Sequence, residues 1–313
     1  MAIHELKRET SVQTLRWLLV CARLPRSGPA KSCGVLPLIA IALLMNGCAT
    51  VVSRVATGFG NDLSSAILNQ DDPEIVRAGM PSYMLLMDSL VSDGPDNAAV
   101  LGAAANLYAA YGTVFADDEI RASRLTKRAR AYSLRGICSI YAPSCGWRGL
   151  GYDDFVATLD GLTEKHADAV FVYSYSTLAY LRAHSSDWNS IAELPQAEAL
   201  LQRYLDITGD VADSSAHTYM GIILTLRPQS LGGKPEIARD HFEKVIEMTD
   251  GKDLSAKLEY AKSYAKLLYE RQLHDRLISE VLDAEPNADG LTLMNVLAQE
   301  EALRLRAEAN DYF

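Results

Sequence analysis

Apolar residues recur at three- and four-residue spacing along nearly every segment after residue 60, while strand-like alternation is scarce. The pattern predicts an all-α fold. Asp71-Asp72-Pro73-Glu74 reads as a helix start, with acidic residues before a proline suited to the first turn. Pro81 is predicted to open PSYMLLMDSLVSD, in which Tyr83, Leu86, Met87, Leu90 and Val91 form one buried face. Gly94-Pro95 breaks that run, and Ala98 to Phe115 is the next predicted helix.

The later helices repeat a theme. Ala104-Ala105 with Tyr108, Met220-Gly221 with Leu224, and Ala261 with Tyr264 each place a small residue one turn before a large one. The presumed partner helices carry Ala122 with Ala129, Ala197 with Leu201 and Tyr204, and Ala238 with Phe242 and Val245. Small residues let two helices approach closely, and the large side chain fills the groove beside them. Such hairpins at irregular spacing predict a TPR-like array of antiparallel helical hairpins forming an α-solenoid over residues 71–313. The predicted hairpins span 81–134, 168–206, 214–249 and 254–284, and a helix at 287–309 has the polar outer face of a cap.

The first fifty residues do not share this pattern. Six basic and two acidic residues precede Cys48, and VLPLIAIALL, Val35 to Leu44, is a short apolar run ending at Met45-Asn46-Gly47-Cys48. This reads as a secretory signal over residues 1–47, with an upstream extension. Cys48 stands where a bacterial lipobox places its acylated thiol, and residues 48–70 are expected to be a lipid-anchored linker or helix. Ala49, with no Asp at that position, resembles lipoproteins passed on to the outer membrane. Without residues 1–48 the chain carries 24 basic and 38 acidic residues, a net −14 that repels nucleic acid.

Candidate chemistry is sparse. Cys138 and Cys145 are a disulfide candidate in an oxidising compartment; the alternative is a metal pair, but no further His or Cys nearby completes a ligand set. Gly146-Trp147-Arg148-Gly149-Leu150-Gly151 is either a shaped surface loop or a contact loop, with Trp147 as apolar anchor and Arg148 for a carboxylate. LGGKPEIARDHFEKVIEM invites comparison with a phosphate loop. Yet Lys234 is followed by Pro235, and the required upstream glycine and strand are missing. Gly232, Gly233 and Pro235 are read as a structural turn. Arg227 either ends the preceding helix or is a charge for an acidic partner or ligand. Tyr173, Tyr175, Tyr180, Tyr219, Tyr260 and Tyr264 are core or groove fillers, some of which could line a concave cleft. The histidines form no H-E-x-x-H, and no G-x-S-x-G turn occurs, so no metal site, cofactor or catalytic residue is expected and the chain reads as a non-enzyme.

Four ordered segments carry a resemblance. DDPEIVRAGMPSYMLLMDSLVSDGPDNAAVLGAAANLYAAYGTVF, LAYLRAHSSDWNSIAELPQAEALLQRYLDI, RPQSLGGKPEIARDHFEKVIEM and LTLMNVLAQEEALRLRAEANDYF resemble the T-component of TRAP transporters, the TatT-like lipoproteins. The resemblance spans the chain after the anchor, except Cys138 to Asp154, which departs from the family pattern. It implies a periplasmic, TPR-like lipoprotein on the inner leaflet of the outer membrane, associated with the solute-binding protein of a tripartite ATP-independent uptake system. A homotrimer with a central opening and an apolar cleft in each protomer is implied, with a hydrophobic or organic-acid ligand. Candidate contact residues are Trp147, Arg148, Tyr173, Tyr180, Tyr219, Arg227 and Tyr264. Two other readings fit the sequence: a general TPR-like scaffold of the cell envelope, or a small hydrophobic ligand carrier that works without a partner.

Overall fold

The computed structural model describes residues 63–93 and 96–313; the expected signal segment and Cys48 lie outside them. The described residues form helices and no strand. These are α1 (Pro73–Asp93), α2 (Ala98–Val114), α3 (Glu119–Ile140), α4 (Tyr152–Leu159), α5 (Ala167–Ala183), α6 (Leu194–Thr208), α7 (Ser214–Thr225), α8 (Pro235–Met248), α9 (Leu254–Glu259), α10 (Arg271–Asp283) and α11 (Thr292–Tyr312). A single turn, Trp188–Ile191, precedes α6, and α9 continues as a π-helical stretch, Tyr260–Ala265. Four of the starts are set by side chains: Asn97, Asp118, Asp213 and Asp253 each accept from backbone N–H groups of the first turn.

Sequence neighbours pack as hairpins, α2 on α3, α5 on α6, α7 on α8 and α9 on α10, and the hairpins stack into an all-α solenoid. Small residues set the spacing. Ala104, Ala105, Ala129, Ala238 and Ala261 are wholly buried. A Cβ at Gly221 would lie 2.7 Å from the Phe242 ring, so α7 meets α8 with the ring against bare backbone. Phe242 then stacks on Tyr260 at 5.2 Å, carrying the contact into the next hairpin. α11 covers α9 and α10 and also reaches α1: Leu293 joins the cluster of Val76, Met80 and Met84. Asn69 fastens the same junction, accepting from the Gly290 N–H at 2.7 Å and donating to Asp289 at 3.2 Å.

The first hairpin departs from expectation. Pro81 does not open a helix; it lies inside α1, which begins at Pro73. The fixed φ of proline is compatible with the helix, and one missing hydrogen bond is tolerated where neighbours hold the element. The buried face changes with the start. It is Val76, Met80 and Met84, whereas Leu86 and Leu90 are about half exposed, at 50% and 51%. YMLLM offers two overlapping stripes, and the one extended upstream by Val76 and Met80 gains two further turns of burial. The close pair is therefore α2–α3, with α1 laid against α2, rather than one hairpin over 81–134. An acidic node holds the three together: Asp88 of α1 accepts from the Tyr108 hydroxyl (2.7 Å), the Tyr132 hydroxyl (2.8 Å) and Arg128 (3.1 Å). Burial and this carboxylate push the Tyr132 hydroxyl up to about 12, so it stays a donor.

The segment after α3 forms its own insert. Cys138 and Cys145 are disulfide-bonded, and a 3₁₀ run, Ala142–Gly149, leads into α4. Trp147, expected as a surface anchor, is instead a core residue at 1% exposure. Its indole N–H donates to the Thr158 hydroxyl at 2.7 Å, and its ring packs on Phe155 and Tyr173. The glycines around it gave the appearance of an open loop, but the 3₁₀ run turns the indole inward.

Two stability outcomes follow from the α7–α8 contact. Gly221→Ala should lower unfolding free energy by about 1–3 kcal/mol, because the added methyl must displace the Phe242 ring in a close-packed core; urea denaturation measures it. His217 and His241 bridge the same two helices with Nδ1 atoms 2.8 Å apart. The ring centroids are 5.0 Å apart, so the nitrogens point at each other and share one proton. Burial, and then His217, lower His241 to about 4. The unfolded chain takes up that proton near the ordinary histidine value. Stability should therefore be full above pH ~6.5 and fall as the pH drops toward about 4, with a shallower slope in His241→Asn, read by urea denaturation across that range.

Candidate functional site

The richest convergence of exposed-edge aromatics and charged groups lies along α5, α7 and α9, which pack side by side. Phe171 and Tyr175 stand four residues apart on one face of α5. Tyr219 of α7 stacks against both, at 5.9 Å from Phe171 and 5.1 Å from Tyr175. All three residues are half-buried and pack against the core. That combination is an aromatic face at the edge of the two core clusters. Burial pushes the Tyr175 hydroxyl up and the Tyr219 hydroxyl well above its ordinary value, with Tyr175 itself adding to the latter. Both hydroxyls are hydrogen-bond donors across the physiological range.

Two turns beyond Tyr175 toward the end of α5, charges replace rings. Arg182 donates to Glu259 of α9 at 3.2 Å, and Ser263 donates to the same carboxylate at 3.1 Å. Burial alone would raise the Glu259 carboxyl, but Arg182 and Lys262 outweigh it and hold the group below the usual carboxylate range. Lys262 in turn pairs with Glu301 of α11 at 3.2 Å. This region thus brings together aromatic faces, neutral donors and matched charges.

The residues singled out in the sequence divide between this aromatic face and the packing. Tyr219 lies on that face, against Phe171 and Tyr175. Tyr173, at 3% exposure, packs on Trp147 in the core. Tyr264 is wholly buried, and Arg239 donates to its hydroxyl at 2.8 Å. Tyr180 is half-buried beneath the Arg130 guanidinium, 4.7 Å from its ring centroid, and stacks on His184. Arg148 is exposed on the 3₁₀ run. Arg227 is half-buried, 3.8 Å from Glu198, and Lys234 reaches the same carboxylate at 2.5 Å. Gly232 adopts a φ of +86°, and a Cβ on Gly233 would lie 1.9 Å from the Arg227 carbonyl oxygen. Gly-Gly is therefore a steric requirement of this turn, and Pro235 opens α8.

Phe171, Arg182 and Glu259 escaped the sequence reading. Phe171 could have been found by its spacing from Tyr175. The Arg182–Glu259 pair joins positions 77 apart, and nothing local marks it. Among the described residues no three His, Cys, Asp or Glu side chains converge on a metal position, and no helix is long and apolar enough to cross a membrane.

The family model for the TRAP transporter T-component matches residues 69–313, which is nearly the whole of the described helical array. The chain belongs to the TRAP transporter T-component family. No curated protein matches it. The T-component assignment makes this a component of a transport system, and the matched residues include Phe171, Tyr175 and Tyr219.

Removing one partner of the charged pairs tests their contribution. Arg182→Met should cost about 1–3 kcal/mol, since it leaves a largely buried carboxylate without its main cation. Double substitution with Glu259→Gln should recover part of that loss in thermal unfolding.

Proposed function

We propose that this T-component is a lipid-anchored periplasmic protein that docks the solute-binding protein of its TRAP system and holds a ligand with apolar character at the aromatic face. The observation that carries the reading is the stacked, half-buried face of Phe171, Tyr175 and Tyr219 in a chain of this family. Its ring faces favour an apolar body, and its two protonated hydroxyls favour a ligand bearing acceptor oxygens. Because Arg182 and Lys262 are already matched by Glu259 and Glu301, these pairs add no net charge to select a strongly ionic ligand.

Anchoring is through an acylated Cys48, with the protein on the inner leaflet of the outer membrane, and the working assembly is a homotrimer of TPR-like protomers. No chemical step is assigned to the chain; its task is docking and holding.

Co-purification and crosslinking with the solute-binding protein encoded beside the TRAP membrane subunits test the docking. Both are expected to give a specific complex, and failure of both at high protein concentration would remove it. Native mass spectrometry tests the aromatic face: a retained small molecule is expected in the parent chain and lost in Tyr219→Ala, with crosslinking preserved. Retention of that molecule by a chain that never crosslinks would instead identify a carrier that works alone.

A further inference from the structure

Thr126, Ser133, Ser174 and Thr225 each turn the side-chain hydroxyl back onto a carbonyl of their own helix. Ser123, in the second turn of α3, does otherwise. Its Oγ lies 2.7 Å from Nε2 of His184, the residue that ends α5. We propose that Ser123 and His184 are a nucleophile–base pair that takes an acyl group from small activated esters and passes it to water. Docking and holding need no such step, and the pair shares no residue with the aromatic face.

The hydrogen bonds fix the tautomer. His184 Nδ1 lies 2.7 Å from the Tyr180 backbone carbonyl, which can only accept, so Nδ1 carries the proton. Nε2 is then a bare acceptor, and the Ser123 hydroxyl donates to it. A serine is activated in this arrangement, with the base in hydrogen-bond reach and itself oriented by a third group. The imidazole is also held on its flat side: Tyr180 stacks on it at 4.0 Å, and the Arg130 guanidinium packs on the Tyr180 ring. Ser123 and His184 are both half-buried, so a held pair keeps part of its surface open to solvent.

The surroundings set the substrate class. Ser123 stands beyond the free N–H groups of the first turn of α3, so no backbone donor beside it can hold an oxyanion. Nearby cations are the available substitute. Arg124, and Lys127 one turn on, are exposed and without an ion pair among the described residues, whereas Arg121 and Arg128 are taken by Asp117 and Asp88. Without a fixed donor pair the reaction needs a good leaving group, which points to aryl esters. Ile120, one turn before Ser123, is 75% exposed, and Trp188, four residues after His184, is 81% exposed. Both favour a short apolar acyl chain.

In the first step Oγ bonds to the ester carbonyl carbon and its proton passes to Nε2. The carbon–oxygen bond to the aryl oxide then breaks, and the proton leaves with it as the phenol. In the second step Nε2 takes a proton from water, whose oxygen displaces Oγ; the carboxylic acid departs and the proton returns to Ser123.

Hydrolysis of p-nitrophenyl butyrate by the full chain tests this, together with fluorophosphonate labelling and peptide mapping of the adduct. Saturable hydrolysis is expected, about a hundredfold slower in Ser123→Ala and in His184→Gln. A single adduct on Ser123 is expected too, prevented by His184→Gln, and Ser186→Ala should change neither readout. Circular dichroism checks that each variant is folded; mapping of the adduct in the parent chain carries the test if one is not. Absence of saturable hydrolysis, a rate that persists in Ser123→Ala because the imidazole acts alone, or a parent chain with no adduct on Ser123 would each overturn the proposal.

Discussion

Bare backbone at Gly221 is the constraint on which the central hairpins depend. With no side chain there, the Phe242 ring of α8 can lie against the backbone of α7, in the space a Cβ would need. Successive residues of a helix are rotated by about 100°, so Tyr219, two positions earlier, faces roughly the opposite side. The contact that seats α7 on α8 therefore also aims Tyr219 at α5. From Phe242 the same packing continues through Tyr260 to Tyr264, the latter two meeting edge to face at 5.2 Å. A single missing methyl thus sets both a core stack and the orientation of the aromatic face.

Much of this was legible in the sequence because it is local. The small-before-large spacing on α2, α7 and the α9 continuation marks residues that are buried, and the later hairpins, α5–α6, α7–α8 and α9–α10, lie where the spacing put them. What could not be read depends on choices between equal local options. α1 had two apolar stripes available, and the decision was made by its contacts with α2 and α11. Trp147 sat among glycines, and only the fold of the insert determined that it turns inward. Arg227 looked like a free charge; Glu198, on another helix, shares it with Lys234. The Arg182–Glu259 pair is a product of stacking and leaves no trace in either segment.

Polar groups at the helix contacts act as registers. Asp88 of α1 gathers two tyrosine hydroxyls and one arginine from α2 and α3, and Arg130, itself nearly buried, spans Glu193 and the Tyr180 ring. Sliding either helix by one turn would leave these groups without partners in a low-dielectric setting. Apolar packing supplies the association, and such nodes select one alignment among the several that ridges and grooves would allow.

The junction of α1 with α11 has a consequence for how the array comes apart. A stack whose units touch only their neighbours can lose its terminal unit at the cost of one interface, so fraying begins at the ends. Here Leu293 shares a cluster with Val76 and Met80, and Asn69 holds the turn before α11. Peeling either terminus breaks two interfaces at once, its own and the one it makes with the opposite end. The two ends protect each other, and the array is driven toward unfolding as a single cooperative unit.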